Sequence, residues 1–257
     1  MRLHTYEWGR ADPGAIVCVH GVTGHGERFR RLAEDRLARA HRIVAPDLRG
    51  HGRSGWEPPW DTETHVDDLV ETVDALGVEV VAWLGFSFGG RVVAELAERH
   101  AGRVERLVLL DPALQLPAAQ CLESAEDERA DETYGSADEA IEERLAAGTL
   151  ISTPRELLVE EMEQHLVPAG DGRLVYRYSK TAAIAAWSEM ARPAPPVAQV
   201  PTLIVLGEES FVPTAAHVER YRAALGDDLR VRSLRSGHSL LWDAFDATAG
   251  AVTEFVA

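Results

Sequence analysis

The segment Gly85-Phe86-Ser87-Phe88-Gly89, followed at once by Gly90, leaves the backbone very few paths. A strand-forming run, Val80–Phe86, meets a helical stretch, Gly89–His100, with almost no residues between them. A chain that reverses so sharply needs glycine two positions either side of the serine, because a Cβ there would crowd the backbone. The turn lifts the Ser87 hydroxyl above the end of a sheet and beside the positive end of a helix. That spacing is the pattern of a nucleophile elbow and predicts a serine hydrolase.

The rest of the chain supplies the sheet that such an elbow requires. Strand-length apolar runs fall at Leu3–Trp8, Ala15–His20, Arg42–Pro46, Val80–Phe86, Val104–Leu110, Thr202–Gly207 and Leu229–Leu234. Helical patterns alternate with them near Gly26–Ala38, Thr62–Leu76, Gly89–His100, Pro213–Leu225 and Leu241–Val256. In Thr62–Leu76, for instance, Val66, Leu69, Val70, Val73 and Leu76 recur at helical spacing with acids opposite. Alternation of this kind predicts a mainly parallel α/β sheet with helices on both faces. From Pro112 to Val200 it stops, leaving acidic amphipathic helices such as 137–147 and 155–166, a tight turn at Asp171-Gly172 and a stiff return at Pro193, Pro195 and Pro196. The expected organisation is a core of residues 1–111 and 201–257 with a helical cap, residues 112–200, over the sheet edge where open α/β sheets bind ligands.

Composition narrows the function by exclusion. A net charge of -16 argues against nucleic acid, which calls for a basic stripe, and favours a neutral small-molecule substrate over a polyanion. Two cysteines make no disulfide framework; Cys18 lies in an apolar strand and reads as a buried structural thiol, Cys121 in a polar helical segment. Met1 to Arg10 contains no apolar signal region and no run reaches the roughly 20 residues that span a bilayer, so the expectation is a cytoplasmic protein without a membrane partner. Gly50-His51-Gly52-Arg53-Ser54-Gly55 fits G-x-G-x-x-G, but Trp56-Glu57-Pro58-Pro59-Trp60 cannot open the helix a dinucleotide needs. The single lysine, Lys180, lacks the glycines of a phosphate loop. No His/Cys spacing suggests a metal, and none is expected.

A serine needs a base to remove its proton during attack. Of ten histidines, His238 is placed best, in Ser236-Gly237-His238 between the last strand and the last helix. His41, His100 and His217 fall in or at the ends of regular elements and read as structural. The oxyanion calls for backbone amides aimed at the developing charge. Gly21, in His20-Gly21-Val22 after a strand, permits close approach, and the expected donors are the amides of Val22 and Phe88. Trp187, before the proline-rich return, is a candidate substrate contact, as is Gly21, whereas Trp83 and Trp242 fall in core elements. Tyr134, Tyr176 and Tyr178 belong to the cap.

Together, His20-Gly21, Asp47-Leu48-Arg49-Gly50-His51-Gly52-Arg53-Ser54, Gly85-Phe86-Ser87-Phe88-Gly89-Gly90 and Gly237-His238 resemble the α/β-hydrolase fold superfamily, in order and across nearly the whole core. The resemblance implies a third residue, an acid that orients the histidine. In the superfamily it usually follows the strand equivalent to Thr202–Gly207, in a pattern like Gly-x-x-Asp. This chain has Gly207-Glu208-Glu209-Ser210, so Ser210 stands where the aspartate belongs. Some members carry the acid one strand earlier, which here is Asp111. Asp111 is the favoured acid and Glu209 the alternative. The expected function is hydrolysis of a carboxylic ester or lactone through an acyl-enzyme, with no cofactor. A carbon–carbon hydrolase, a thioesterase, an aminopeptidase or a non-catalytic ligand-binding protein on the same core are the alternatives.

Overall fold

The computed structural model describes residues 1–10, 14–130, 132–170 and 172–257. The chain runs through β1 (Thr5–Trp8), β2 (Ala15–Val19), a short helix α1 (Arg30–Leu32), β3 (Arg42–Pro46), α2 (Thr62–Leu76), β4 (Val80–Phe86), α3 (Phe88–Arg99) and β5 (Leu107–Leu110). After β5 come α4 (Ala118–Asp127), α5 (Ala137–Ala146), α6 (Arg155–His165), β6 (Leu166–Pro168), β7 (Leu174–Tyr176) and α7 (Lys180–Met190). The chain then returns through β8 (Thr202–Gly207), α8 (Ala215–Leu225), β9 (Leu229–Leu234), α9 (Leu240–Asp243) and α10 (Phe245–Val256).

Seven strands form one open sheet in the order β1-β3-β2-β4-β5-β8-β9. Only β1 runs antiparallel, against β3; every other pairing is parallel. Both faces are covered, which is why β2 and β5 are apolar throughout instead of alternating with polar residues. The alternation of side chains sorts neighbours to opposite faces. Val17 and Val19 join α2, α3 and α8 on one side, through Val66, Leu69, Val92 and Val218. Ile16 and Cys18 join Phe29, Leu37, Val252 and Phe255 on the other. Cys18 is fully buried, as expected of a structural thiol; Cys121, from a segment that looked polar, is buried too.

Several boundaries differ from the sequence pattern for identifiable reasons. The strand expected from Val104 begins at Leu107, because a 3-10 turn at Ala101–Arg103 takes the Val104 amide onto Ala101 O. The single helix expected over 26–38 divides into a 3-10 turn, α1 and a π-helical turn, the last closing with Ala38 N–H on Ala33 O. The last helix breaks at Ala244, next to an Asp243 carboxylate that receives the Ile151, Ser152 and Gly237 amides.

The stretch between β5 and β8 is not purely helical. It contains the antiparallel ribbon β6-β7, three residues a side and half-buried, too short and too polar in setting to read as a buried strand. The turn expected at Asp171-Gly172 falls partly outside the described residues; Gly172 itself has φ +82°. Arg91, buried on α3, holds both ends of this stretch by donating to Leu114 O on the way out and to Arg192 O and Pro193 O on the return. No helix among the described residues is long and apolar enough to cross a membrane.

Candidate active site

Ser87 sits at the junction of β4 and α3 with φ +54° and ψ -118°, a conformation that side-chain-bearing residues rarely adopt. Such a residue costs about 1–3 kcal/mol and needs its surroundings to hold it. Its N–H donates to Leu110 O at 3.1 Å, and its carbonyl accepts from Gly90 and Ala113 at 2.9 and 3.0 Å. The flanking glycines are sterically required. A Cβ on Gly85 would lie 2.3 Å from Gly89 O, and one on Gly89 would lie 2.2 Å from Val19 O.

His238 follows β9 on a loop whose Gly237 amide is tied to Asp243 at 3.1 Å. Its Nδ1 lies 2.5 Å from Asp111 Oδ2, and a carboxylate partner assigns the proton to Nδ1 and leaves Nε2 as the basic nitrogen. Phe86 and Phe211 flank the imidazole, each with its ring centroid 4.8 Å away. Asp111, at the end of β5, is buried with φ +40°. Its Oδ1 accepts from the Gly207 amide at 3.1 Å, and its Oδ2 also accepts the Ser210 hydroxyl. Ser210, in the position where an aspartate was missing, is therefore a hydrogen-bond donor to the carboxylate one strand away. Glu209 points elsewhere. Its amide donates to Ser236 O, and its carboxylate lies 3.9 Å from Arg235 Nε at the surface.

The loop after β2 presses on the serine. A Cβ on Gly21 would stand 3.0 Å from Ser87 Cβ. His20 fixes this loop: its Nε2 accepts the Leu48 amide at 2.9 Å, so Nδ1 carries the proton and donates to Gly21 O at 2.8 Å. Complete burial, reinforced by nearby His51, holds the His20 imidazole neutral, its pKa well below the ordinary value. Val22 lines the cavity beside Ser87. Phe88 opens α3, so its amide has no partner within the helix. The G-x-G-x-x-G segment serves the same architecture. Buried Asp47 accepts the Gly26 and Arg53 amides at 2.7 and 2.8 Å, and no helix follows before Thr62.

Ser87 and His238 open into one cavity of about 250 Å³. Trp187 lines it. Trp242, partly buried on α9, also lines it: its ring lies 5.3 Å from the Arg28 guanidinium and 4.9 Å from that of Arg144. The break at Ala244 separates the short helix α9, which carries Trp242, from α10. Tyr134, Tyr176 and Tyr178 line a neighbouring cavity instead. Phe211, Arg28 and Arg144 went unseen in the sequence, and Trp242 was not placed at the site; nothing in their local spacing marks them.

Behind Arg28 lies a buried polar cluster. Glu161 accepts Arg28 Nε at 2.8 Å, His25 Nε2 at 3.0 Å and His165 Nδ1 at 3.1 Å. Burial alone would raise its pKa, but Arg28 and His25 hold it well below the usual carboxylate range. Burial pushes the His165 imidazole down to about 3 despite that carboxylate. The donor atoms of His25, Glu161 and His165 lie within 4.8 Å of one another, close enough to hold a metal ion. Both Glu161 oxygens are already taken by donors, one of them the fixed positive charge of Arg28, so a cation would have to displace it. The cluster fits a polar support for Arg28 better than a metal centre.

Comparison with known proteins agrees with this fold. The family model described as alpha/beta hydrolase fold matches residues 14–245. Lipase LipV of Mycobacterium tuberculosis is 38% identical over 204 residues, covering 79% of this chain and 77% of that protein. The 2-hydroxymuconate semialdehyde hydrolase of Pseudomonas sp. (strain CF600) is 39% identical over 121 residues, 44% of this chain and 41% of that protein. Among solved structures, E-2-(acetamidomethylene)succinate hydrolase superposes with a TM-score of 0.84 at 23% identity, covering 99% of this chain and 94% of that one. A mostly parallel sheet, a strained serine between β4 and α3 and a match across almost the whole chain lead to one conclusion: the chain belongs to the alpha/beta hydrolase fold family and is a hydrolase of that fold.

Proposed function

We propose that the chain hydrolyses a carboxylic ester or lactone through an acyl-enzyme on Ser87, with His238 as base and Asp111 as the acid of the triad. The observation that carries this reading is the His238–Asp111 hydrogen bond at 2.5 Å on the wall of the cavity that Ser87 shares. Ser87 Oγ attacks the carbonyl while His238 Nε2 takes its proton; Asp111 holds the ring and stabilises the imidazolium. The amides of Val22 and Phe88 receive the oxyanion, an interaction whose loss typically costs roughly 100- to 1000-fold in turnover. His238 then protonates the leaving alkoxide and activates water against the acyl-enzyme. Each of these steps uses only this chain's groups and water.

The segment 112–200 acts as the cap of this site. Leu116, Arg144, Thr149, Leu150 and Trp187, all within it, line the cavity opposite the sheet edge, with Trp187 and Gly21 bounding the substrate. A relative named as a lipase that covers most of the chain supports the ester reading. Carbon–carbon cleavage is the second reading, favoured by the relative named as a semialdehyde hydrolase. A panel of p-nitrophenyl esters, lactones, thioesters and a vinylogous diketone assayed on the purified chain separates them. The expected result is ester or lactone turnover that disappears in Ser87→Ala; turnover of the diketone alone would overturn the ester reading.

A further inference from the structure

Among the described residues, the cavity that holds Ser87 and His238 is lined by two arginines, Arg28 and Arg144, and by no aspartate or glutamate. The two guanidiniums lie against the same Trp242 ring, but their partners differ. Arg28 is committed to Glu161 through Nε and Nη2. Among the described residues no carboxylate forms an ion pair with Arg144; Glu161, already taken by Arg28, acts on it only from beyond contact distance, and the polar neighbour of Arg144 is the Tyr176 hydroxyl. Arg144 also borders a second cavity faced by Glu128, Glu132 and Glu143. Those acids are engaged by tyrosines: Tyr178 donates to Glu128 at 3.0 Å, and Tyr134 reaches Glu143 at 3.1 Å and Glu132 at 3.3 Å. His165, near Arg28, is held neutral by burial.

An arginine largely enclosed by protein without a hydrogen-bonded carboxylate is costly, because a buried guanidinium normally takes a carboxylate or phosphate partner. Arg144 keeps some surface and lines both cavities, and burial pushes its pKa downward. Phe29, Leu116, Leu150 and Leu241 form apolar stretches of the same lining, suited to a carbon skeleton. We infer that Arg144 receives a carboxylate of the substrate, so that the preferred substrate is an ester or lactone carrying a free carboxylate remote from the scissile bond. This rests on the hydrolase reading above and narrows its substrate class. It also revises the expectation of a neutral substrate drawn from the charge of -16. The field of the whole molecule acts on approach and is screened within about 8 Å at physiological salt, whereas the bound group meets Arg144 directly.

The test uses p-nitrophenyl monoesters of dicarboxylic acids from adipic to sebacic, each paired with its neutral ω-methyl ester, on the full chain. The readout is the ratio of kcat/KM for the acid over its neutral partner. At the best chain length this ratio should reach roughly 10 to 100, the range of a charge-assisted hydrogen bond. Arg144→Met should bring it close to 1, and Arg144→Lys should keep part of it. A ratio at or below 1 at every length, or one that Arg144→Met leaves unchanged, would overturn the inference. A binding measurement separates this from failure of the hydrolase reading. Ser87→Ala, titrated calorimetrically with monomethyl suberate and dimethyl suberate, should bind the former more tightly, and the added Arg144→Met should erase the difference. Selective binding with no ester cleaved by the wild-type chain would uphold the anion site and sink the hydrolase reading. Equal binding of the two suberates would refute the anion site whatever the activity.

Discussion

Asp111→Asn removes the charge that the site places behind His238, and the surrounding hydrogen bonds set the size of the effect. Asp111 is 1% exposed, and its carboxylate accepts from three donors: Gly207 N–H, the Ser210 hydroxyl and His238 Nδ1–H. An amide offers one oxygen in place of two. If that oxygen stays on Gly207, the NH2 group faces His238 and forces Nδ1 to accept, which puts the proton on Nε2. His238 then cannot take the Ser87 proton. If the oxygen turns to His238, the NH2 group meets the Gly207 N–H donor against donor in a buried setting. In both orientations the imidazolium loses its counter-charge. The expected loss is roughly 10⁴-fold in kcat, the effect of the same replacement in another Ser-His-Asp enzyme, or about 5 kcal/mol. The assay is kcat on the best ester of the panel, with circular dichroism to confirm the fold. Asp111→Asn combined with Ser210→Asp should recover at least about tenfold, because it returns a carboxylate to the loop after β8. Near-wild-type turnover in Asp111→Asn, with collapse in Glu209→Gln, would refute the reasoning.

Two further predictions concern stability. Gly89→Ala places a Cβ 2.2 Å from Val19 O and 2.5 Å from His20 O, both backbone atoms, so it should destabilise by about 3 kcal/mol; an unchanged Tm in a thermal melt would contradict the packing described for the elbow. Burial holds His51 and His165 at a pKa of about 3 and His65 at about 4, against 6.5 in the unfolded chain. The unfolded chain therefore binds protons that the folded chain refuses. Stability contributed by these groups is present above pH 6.5 and declines as pH falls toward 4, by up to roughly 1.4 kcal/mol per pH unit for each histidine. Urea midpoints measured from pH 7 to pH 5 should fall steeply, and a flat profile would show that these imidazoles titrate normally in the folded protein.

Much of this site was legible because its parts obey local rules. Gly85, Ser87 and Gly89 are dictated by one turn, and His238 by a loop between a strand and a helix. Asp111 was reachable only through an absence, the serine at position 210, which the structure turns into a hydrogen bond with the same carboxylate. The cavity wall was not legible. Arg28 meets Glu161 across 133 positions, and Arg144 on α5 meets Trp242 on α9. No periodicity encodes such meetings. The place of Trp242 on the cavity wall was not legible either, because its apolar neighbours continue a helical pattern and the break at Ala244 lies beside the Asp243 carboxylate that takes amides from residues 151–152. The ribbon β6-β7 was missed for a related reason. Strands of three half-buried residues leave no buried run to detect.

The central claim is that Ser87 is a nucleophile activated by His238. Incubation of the purified chain with a fluorophosphonate probe, followed by mass spectrometry of the intact protein and its peptides, tests it most directly. The account predicts rapid addition of a single phosphonyl group on the peptide carrying Ser87, slowed strongly in His238→Ala and absent in Ser87→Ala. A chain that remains unmodified at Ser87, or that labels equally well without His238, would contradict it.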